Sequence, residues 1–222
     1  MTSEKFKEIS RKLAHVALET GAVQFNSVDP FTWASGYRMP IYNDNRLLLG
    51  YVSYRNLVAE GFRETIRLGN IPVEIIAGAA TAGIPHATLL ANLMELPMIY
   101  VRPKPKEHGM GNQVEGPLLK GQRTVVVEDL VSTGGSALEV VSAIRAKGAL
   151  ADYCLSIFNY GFKETEKAFS EANCGLYSLL SLPVLLAEAE YMGKMSSGQS
   201  KLLRNWQQDP FNWGDGNGFP KK

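Results

Sequence analysis

The chain has 222 residues, 45% of them hydrophobic, which is enough to bury a full core and is most simply one domain. Lys and Arg number 23 against 22 Asp and Glu, so a formal net charge of +1 argues against bulk electrostatic capture of nucleic acid. Cys154 and Cys174 lack CxxC spacing and a His-rich neighbourhood, which speaks against a zinc site or a disulfide framework. The first ten residues are charged and lack the apolar core of a signal peptide, and no apolar run approaches membrane-spanning length. The expectation is a cytoplasmic protein with no membrane partner.

Phe6, Ile9, Leu13, Val16 and Ala17 recur at helical spacing, and Gly21 follows as a stop. His15 falls opposite the apolar face and reads as a solvated surface residue, not a ligand. Residues 23–25 and 31–33 are short apolar pieces separated by a turn-rich link at 26–30, which suggests a small antiparallel flap ahead of the main sheet. A Gly turn, a Pro-led short strand and a polar end follow over 35–46. Leu57, Val58, Gly61, Phe62 and Ile66 then mark a helix to about residue 68.

From residue 73 a βα rhythm takes over, the sign of a parallel sheet with crossover helices. Strands are predicted at 73–78, 97–101, 125–127, 153–158 and 176–180, with helices at 84–94, after Ser136, at about 163–173 and at about 184–195. The expectation is one domain, with N-terminal elements over about 1–70, the core sheet over about 71–182, and C-terminal helices and a tail over 183–222. That tail, from Asp209 with Pro210, Trp213 and three Gly, reads as irregular and surface-bound.

The most informative stretch is T-V-V-V-E-D-L-V-S-T-G-G-S over 124–136. Its opening is too continuous for a half-exposed strand, so it reads as a central, fully buried one. Glu128 and Asp129 stand at the C-terminal end of that strand, where open α/β sheets bind ligands. A small-residue loop and a helix N-terminus follow, and their N–H groups make a phosphate cradle. Two hydroxyl-seeking acids beside one phosphate describe a ribose 5-phosphate. The plainer reading, a capped turn with acids at a solvent edge, explains the combination less well. A Walker loop does not fit, because neither Gly-rich turn ends in Gly-Lys-Ser/Thr.

Two more loops belong to the same picture. A-G-A-A-T-A-G over 77–83 offers further N–H groups at the same sheet edge, and a strained peptide there would be unsurprising. The insertion at 102–116 separates two strands without a helical pattern, and structureless loops of that length are often lids. Arg102, Lys104, Lys106 and His108 alternate along its first half, and Gly109, Gly111 and Gly116 supply hinges. Cations closing over a phosphate site would stabilise a leaving pyrophosphate. A solvated charged hairpin remains the alternative.

The stretch at 127–136 resembles the phosphoribosyl diphosphate (PRPP) signature of the type I phosphoribosyltransferases. Together with F-T-W-A-S-G over 31–36, the loop at 76–84 and R-x-K-x-K-x-H-G from Arg102, the chain is similar to the orotate phosphoribosyltransferases from about residue 31 to 191. That resemblance implies the type I fold, a mostly parallel sheet flanked by helices under a small N-terminal hood. It implies that Glu128 and Asp129 hold the ribose hydroxyls, and that Leu130, Val131, Ser132, Thr133, Gly134, Gly135 and Ser136 surround the 5′-phosphate. Ser132 also touches orotate, and Arg102, Lys106 and His108 act on pyrophosphate. It further implies a homodimer whose lids reach the neighbouring site, and Mg2+ held mainly by PRPP itself without a protein metal cage.

Ala34, Ala82 and Tyr160 stand where some members carry Lys, Lys and Arg, which leaves the contacts to the orotate carboxylate open. The implied reaction displaces pyrophosphate at the anomeric carbon by N1 of orotate, giving orotidine 5′-monophosphate on the way to UMP. No nucleophile–base constellation such as G-x-S-x-G competes with it. Alternatives are a phosphoribosyltransferase for another base and an RNA-binding regulator on the same fold, the latter disfavoured by the near-neutral charge.

Overall fold

A computed structural model of the chain describes residues 3–104 and 113–222. The first helix, α1 (Glu4–Glu19), is capped by the Ser3 hydroxyl, which accepts from the Phe6 N–H, and buries Ile9, Leu13, Ala14 and Ala17. His15 is not simply solvated: its Nδ1 lies 2.9 Å from Glu188 and its Nε2 3.3 Å from Glu19, because α1 packs on a late helix that carries the buried Glu188.

The flap strands form, but with other partners than the sequence suggested. β1 (Val23–Phe25) pairs antiparallel with β4 (Ile41–Asn43), and β2 (Phe31–Thr32) with β3 (Arg38–Met39). The Gly36 turn closes the second pair, so the two apolar pieces never meet each other. A 3-10 turn over Asn45–Gly50 leads into α2 (Val52–Leu68).

The βα rhythm is realised as β5 (Ile75–Ala79), α3 (Gly83–Met94), β6 (Met98–Val101), β7 (Val114–Glu115), β8 (Arg123–Val131), α4 (Gly135–Ala146), β9 (Leu150–Asn159), α5 (Lys163–Glu171) and β10 (Gly175–Ser181). The strands lie in the order β10-β9-β8-β5-β6-β7, parallel except for the antiparallel β6–β7 edge. β8 is therefore central, and Val125, Val126 and Val127 are fully buried, as their continuous apolar run predicts.

Alternate strand residues feed two cores. Ile76, Val125, Val127 and Leu155 pack under α1, α2 and α3, while Ala77, Val126 and Cys154 pack with Val140, Val141 and Phe169 of α4 and α5. The chain leaves β5 toward β6 on one side and returns to β8 on the other. This topological switch point opens a crevice between the C-terminal ends of β5 and β8, the preferred ligand position in such sheets.

Beyond β10 come α6 (Leu182–Tyr191), α7 (Ser197–Gln208) and α8 (Pro210–Gly216). The expectation of an irregular tail is overturned. Pro210 and Gly214 are buried, Phe211 packs on Tyr37 and Phe162, and the Lys222 N–H donates to the Gly36 carbonyl. The C-terminus is thus clamped onto the flap, driven by aromatic burial that a local composition reading does not see. Among the described residues no helix is long and apolar enough to cross a membrane.

Candidate active site

Strand β8 runs on past its valines to Val131, so Glu128 and Asp129 sit inside the strand, still hydrogen-bonded to β9, and not beyond its end. The Glu128 carboxylate accepts from the Asp129 N–H at 2.9 Å. Burial, then the neighbouring Asp129 carboxyl, pushes the Glu128 acid well above the usual carboxylate range. Glu128 therefore holds its proton more tightly than an ordinary carboxyl does.

The backbone under Asp129 is held from outside the sheet. Asn45, buried at the start of the 3-10 turn, donates from Nδ2 to the Asp129 carbonyl at 2.8 Å. On the α3 side lies His86, which is 1% exposed, with neither ring nitrogen hydrogen-bonded among the described residues. Burial pushes its pKa down to about 4, against the pull of the nearby Asp129 charge, so it is neutral at pH 7.

Val131, Ser132, Thr133, Gly134, Gly135 and Ser136 wrap, with Leu130 and Glu139, around a cavity of about 290 Å³ that opens on the N-terminus of α4. Gly134 caps that helix at φ 90, a left-handed conformation, and a Cβ there would stand 2.8 Å from the Phe169 ring. Thr165 of α5 donates its hydroxyl to the Ser132 carbonyl and ties the loop to the next unit. N–H groups at a helix start beside a small-residue loop suit a phosphate.

A second cavity, also about 290 Å³, adjoins the first and shares Leu130 and Ser132 with it. Its remaining lining is Trp33, Ala34, Ser35, Tyr42, Asn43 and Tyr160, none of them charged. The Trp33 and Tyr160 rings are 5.1 Å apart, and Trp206 of α7 meets both edge-on from behind. A flat apolar slot beside a polar cradle fits a planar base next to a phosphate.

The loop at 77–83 reaches the same edge from β5. Its Ala80–Thr81 peptide is cis. Gly83 lets α3 approach β8 so closely that a Cβ would stand 2.3 Å from the Val127 carbonyl oxygen. The loop offers fewer free N–H groups than the sequence suggested, because Ala80 already donates to the Val101 carbonyl.

Arg102 stands at the foot of the long insertion, where β6 and β7 form an antiparallel stem. Its N–H donates to the Gln113 carbonyl, and its guanidinium lies 3.8 Å from Glu115. Lys106 and His108, the other expected pyrophosphate contacts, lie outside the described residues. The acid pair and the loop from Leu130 to Ser136 are thus brought together in one crevice. Asn43, Asn45, His86 and Thr165 join them without having been singled out for a role, as does Tyr160, noted only as a departure from Arg; the polar Y-N-D-N run over 42–45 was the one visible hint for the others.

The phosphoribosyl transferase domain family matches residues 54–159. The orotate phosphoribosyltransferase of Streptococcus pyogenes is 44% identical over 205 residues, covering 92% of this chain and 98% of that protein. Among solved structures, orotate phosphoribosyltransferase from Aeropyrum pernix superposes with a TM-score of 0.71 at 31% identity, covering 83% of this chain and 99% of that one. UMP synthase of Leishmania donovani gives 0.78 at 27% identity over 91% of this chain, which spans 43% of that longer chain.

Proposed function

The chain belongs to the orotate phosphoribosyltransferases, and from that membership we propose how its crevice carries the reaction, transfer of ribose 5-phosphate from PRPP to N1 of orotate with release of pyrophosphate. The observation that carries the assignment of roles is the pair of adjoining cavities that share Leu130 and Ser132, with Glu128 and Asp129 on the same strand. The cradle from Val131 to Ser136 takes the 5′-phosphate, and the aromatic slot takes the base. The acids, one strand step earlier, accept from the ribose 2′- and 3′-hydroxyls. Ser132 borders both cavities and so touches orotate as well as the phosphate end.

Positive charge grows on the sugar as the bond to pyrophosphate breaks, so catalysis comes from positioning and electrostatic stabilisation without a covalent nucleophile. Arg102, Lys106 and His108 supply cations to the leaving group; for Lys106 and His108 this rests on the sequence motif alone. The donor chemistry beside the site, two carboxylates and a ligand rich in phosphate oxygens, fits Mg2+, which prefers few protein ligands and substrate phosphates. Bound there, it would offset pyrophosphate charge, while Asp129 and Glu128 would orient the ribose hydroxyls.

The family resemblance also supports a homodimer in which each insertion serves its neighbour's site. A mixed dimer of Lys106→Ala with Glu128→Ala/Asp129→Ala subunits would then regain about half the activity, from the one site that combines intact parts. Activity no higher than either parent dimer would rule out crossing. The activity itself is tested by the fall in orotate absorbance with PRPP and magnesium. A protein that leaves orotate unconsumed, or consumes uracil or a purine instead, would overturn the reading.

A further inference from the structure

Asn43 closes β4 at the wall of the base-side cavity. Its backbone is fixed opposite Val23 in the β1–β4 pair, yet neither end of its side-chain amide has a hydrogen-bond partner among the described residues, and the residue is only 7% exposed. Buried carboxamides are almost always paired, because water has been removed from both a donor and an acceptor. An unpaired amide at the wall of a cavity is therefore short of a partner that the cavity can supply. Among the described residues, none that lines the cavity carries a charge that would compete for a ligand's polar edge.

The chemistry of the base narrows what that partner is. In the reaction N1 must face the anomeric carbon, and the carboxylate occupies the neighbouring C6. The edge left for recognition is the imide, N3–H flanked by two carbonyls. A carboxamide presents an acceptor and a donor side by side, in the complementary order. We propose that Asn43 is the base-selecting residue of this site. Its amide turns into the cavity when the base binds, Oδ1 accepting from N3–H and Nδ2 donating to an adjacent ring carbonyl. The inference rests on the reading of the crevice given above and adds what that reading lacks, a residue that distinguishes a 2,4-dioxopyrimidine from other flat rings.

The test compares orotate with its N3-methyl derivative at saturating PRPP and magnesium, for the unmodified enzyme, Asn43→Leu and the equal-sized Asn43→Asp. The unmodified enzyme should prefer orotate by roughly a hundredfold in kcat/KM, since a site built around a hydrogen bond rejects a ligand that lacks it. Asn43→Leu should lose roughly tenfold to a hundredfold with orotate and keep no more than about a threefold preference, with PRPP affinity unchanged. Asn43→Asp, which cannot donate, should lose activity with orotate to a similar degree. A preference that survives in variants still binding PRPP overturns the proposal. So does an unmodified enzyme that uses both bases equally, an outcome that needs no variant to fold. Failure of the unmodified enzyme to use orotate at all would instead strike the functional reading.

Discussion

The sheet side of the crevice, from Val127 to Ser136, is continuous backbone, laddered to β5 and β9 and running directly into α4. The flap side, from Phe31 to Asn45, rests on strands of two or three residues. It is held in place by side chains that arrive from the far end of the chain: Trp206 against Trp33, Phe211 against Tyr37. In the proposed assignment the ribose and phosphate half is thus built on a central strand of the sheet, and the base half on a clamp between the flap and the C-terminal helices. Loss of the clamp should therefore damage base binding and stability while leaving PRPP binding largely intact.

Trp206→Ala is the most direct way to break that comparison. The indole is fully buried, donates from Nε1 to the Met39 sulfur at 3.3 Å, and meets Trp33, Tyr160 and Phe162 edge-on. Removing it should cost about 3–5 kcal/mol of stability, roughly 10 °C in Tm for a chain of this size. In the protein that remains folded, KM for orotate should rise well before PRPP affinity changes. Equal losses for the two ligands would mean that the halves are not held independently.

Lys106→Ala and Asp129→Asn sharpen the comparison from the PRPP side. If Lys106 meets the leaving group as proposed, its loss should raise the barrier by about 3 kcal/mol and lower kcat roughly a hundredfold, with KM little changed. A change confined to KM would make Lys106 a binding residue only. For Asp129→Asn the loss is of charge-assisted hydrogen bonds to hydroxyls, about 2 kcal/mol or roughly thirtyfold in PRPP affinity. Calorimetric titration of both ligands gives the measurement, and an equal loss for orotate would contradict the assignment.

The same contrast explains what could be read from the sequence. The sheet half is written locally: an uninterrupted valine run, two acids, then small residues in consecutive positions, each implying the next by period and turn chemistry. Only the exact strand end escaped, because Glu128 and Asp129 look like loop residues until β9 is seen pairing past them. The flap half is written non-locally. Nothing near residues 31–42 says that β1 will choose β4, and nothing near Trp206 says that it will pack on Trp33. Asn45 showed only as part of the polar run over 42–45 and His86 not at all, for the same reason: the hydrogen bond of the first and the electrostatic setting of the second depend on Asp129, 84 and 43 positions away in the chain.

The smallest expected effect tests how the sheet half stores its readiness for ligand. Glu128 titrates above its ordinary range in the folded protein because burial and the Asp129 carboxyl disfavour its charge. Unfolding restores an ordinary carboxylate near 4.5. Between those two values the folded chain binds more protons than the unfolded one, so stability falls as pH rises, and the penalty is complete only above the folded pKa. Glu128→Gln cannot ionise, but its carbonyl oxygen can still accept from the Asp129 N–H and its amide can still donate to the Asp129 carboxylate. Without ligand, the variant should therefore match the unmodified protein near pH 4 and become the more stable of the two toward pH 9. The gain should be about 1–2 kcal/mol, a few degrees in Tm, after allowing for partial solvent access. Comparing the two proteins at each pH cancels the titration of distant groups. A Tm difference that stays flat across the range would mean Glu128 ionises freely in the fold and the acids are not strained against each other. A difference that grows with pH, together with weakened PRPP binding in the variant, would mark Glu128 as a group kept at a cost in stability for the sake of its ligand.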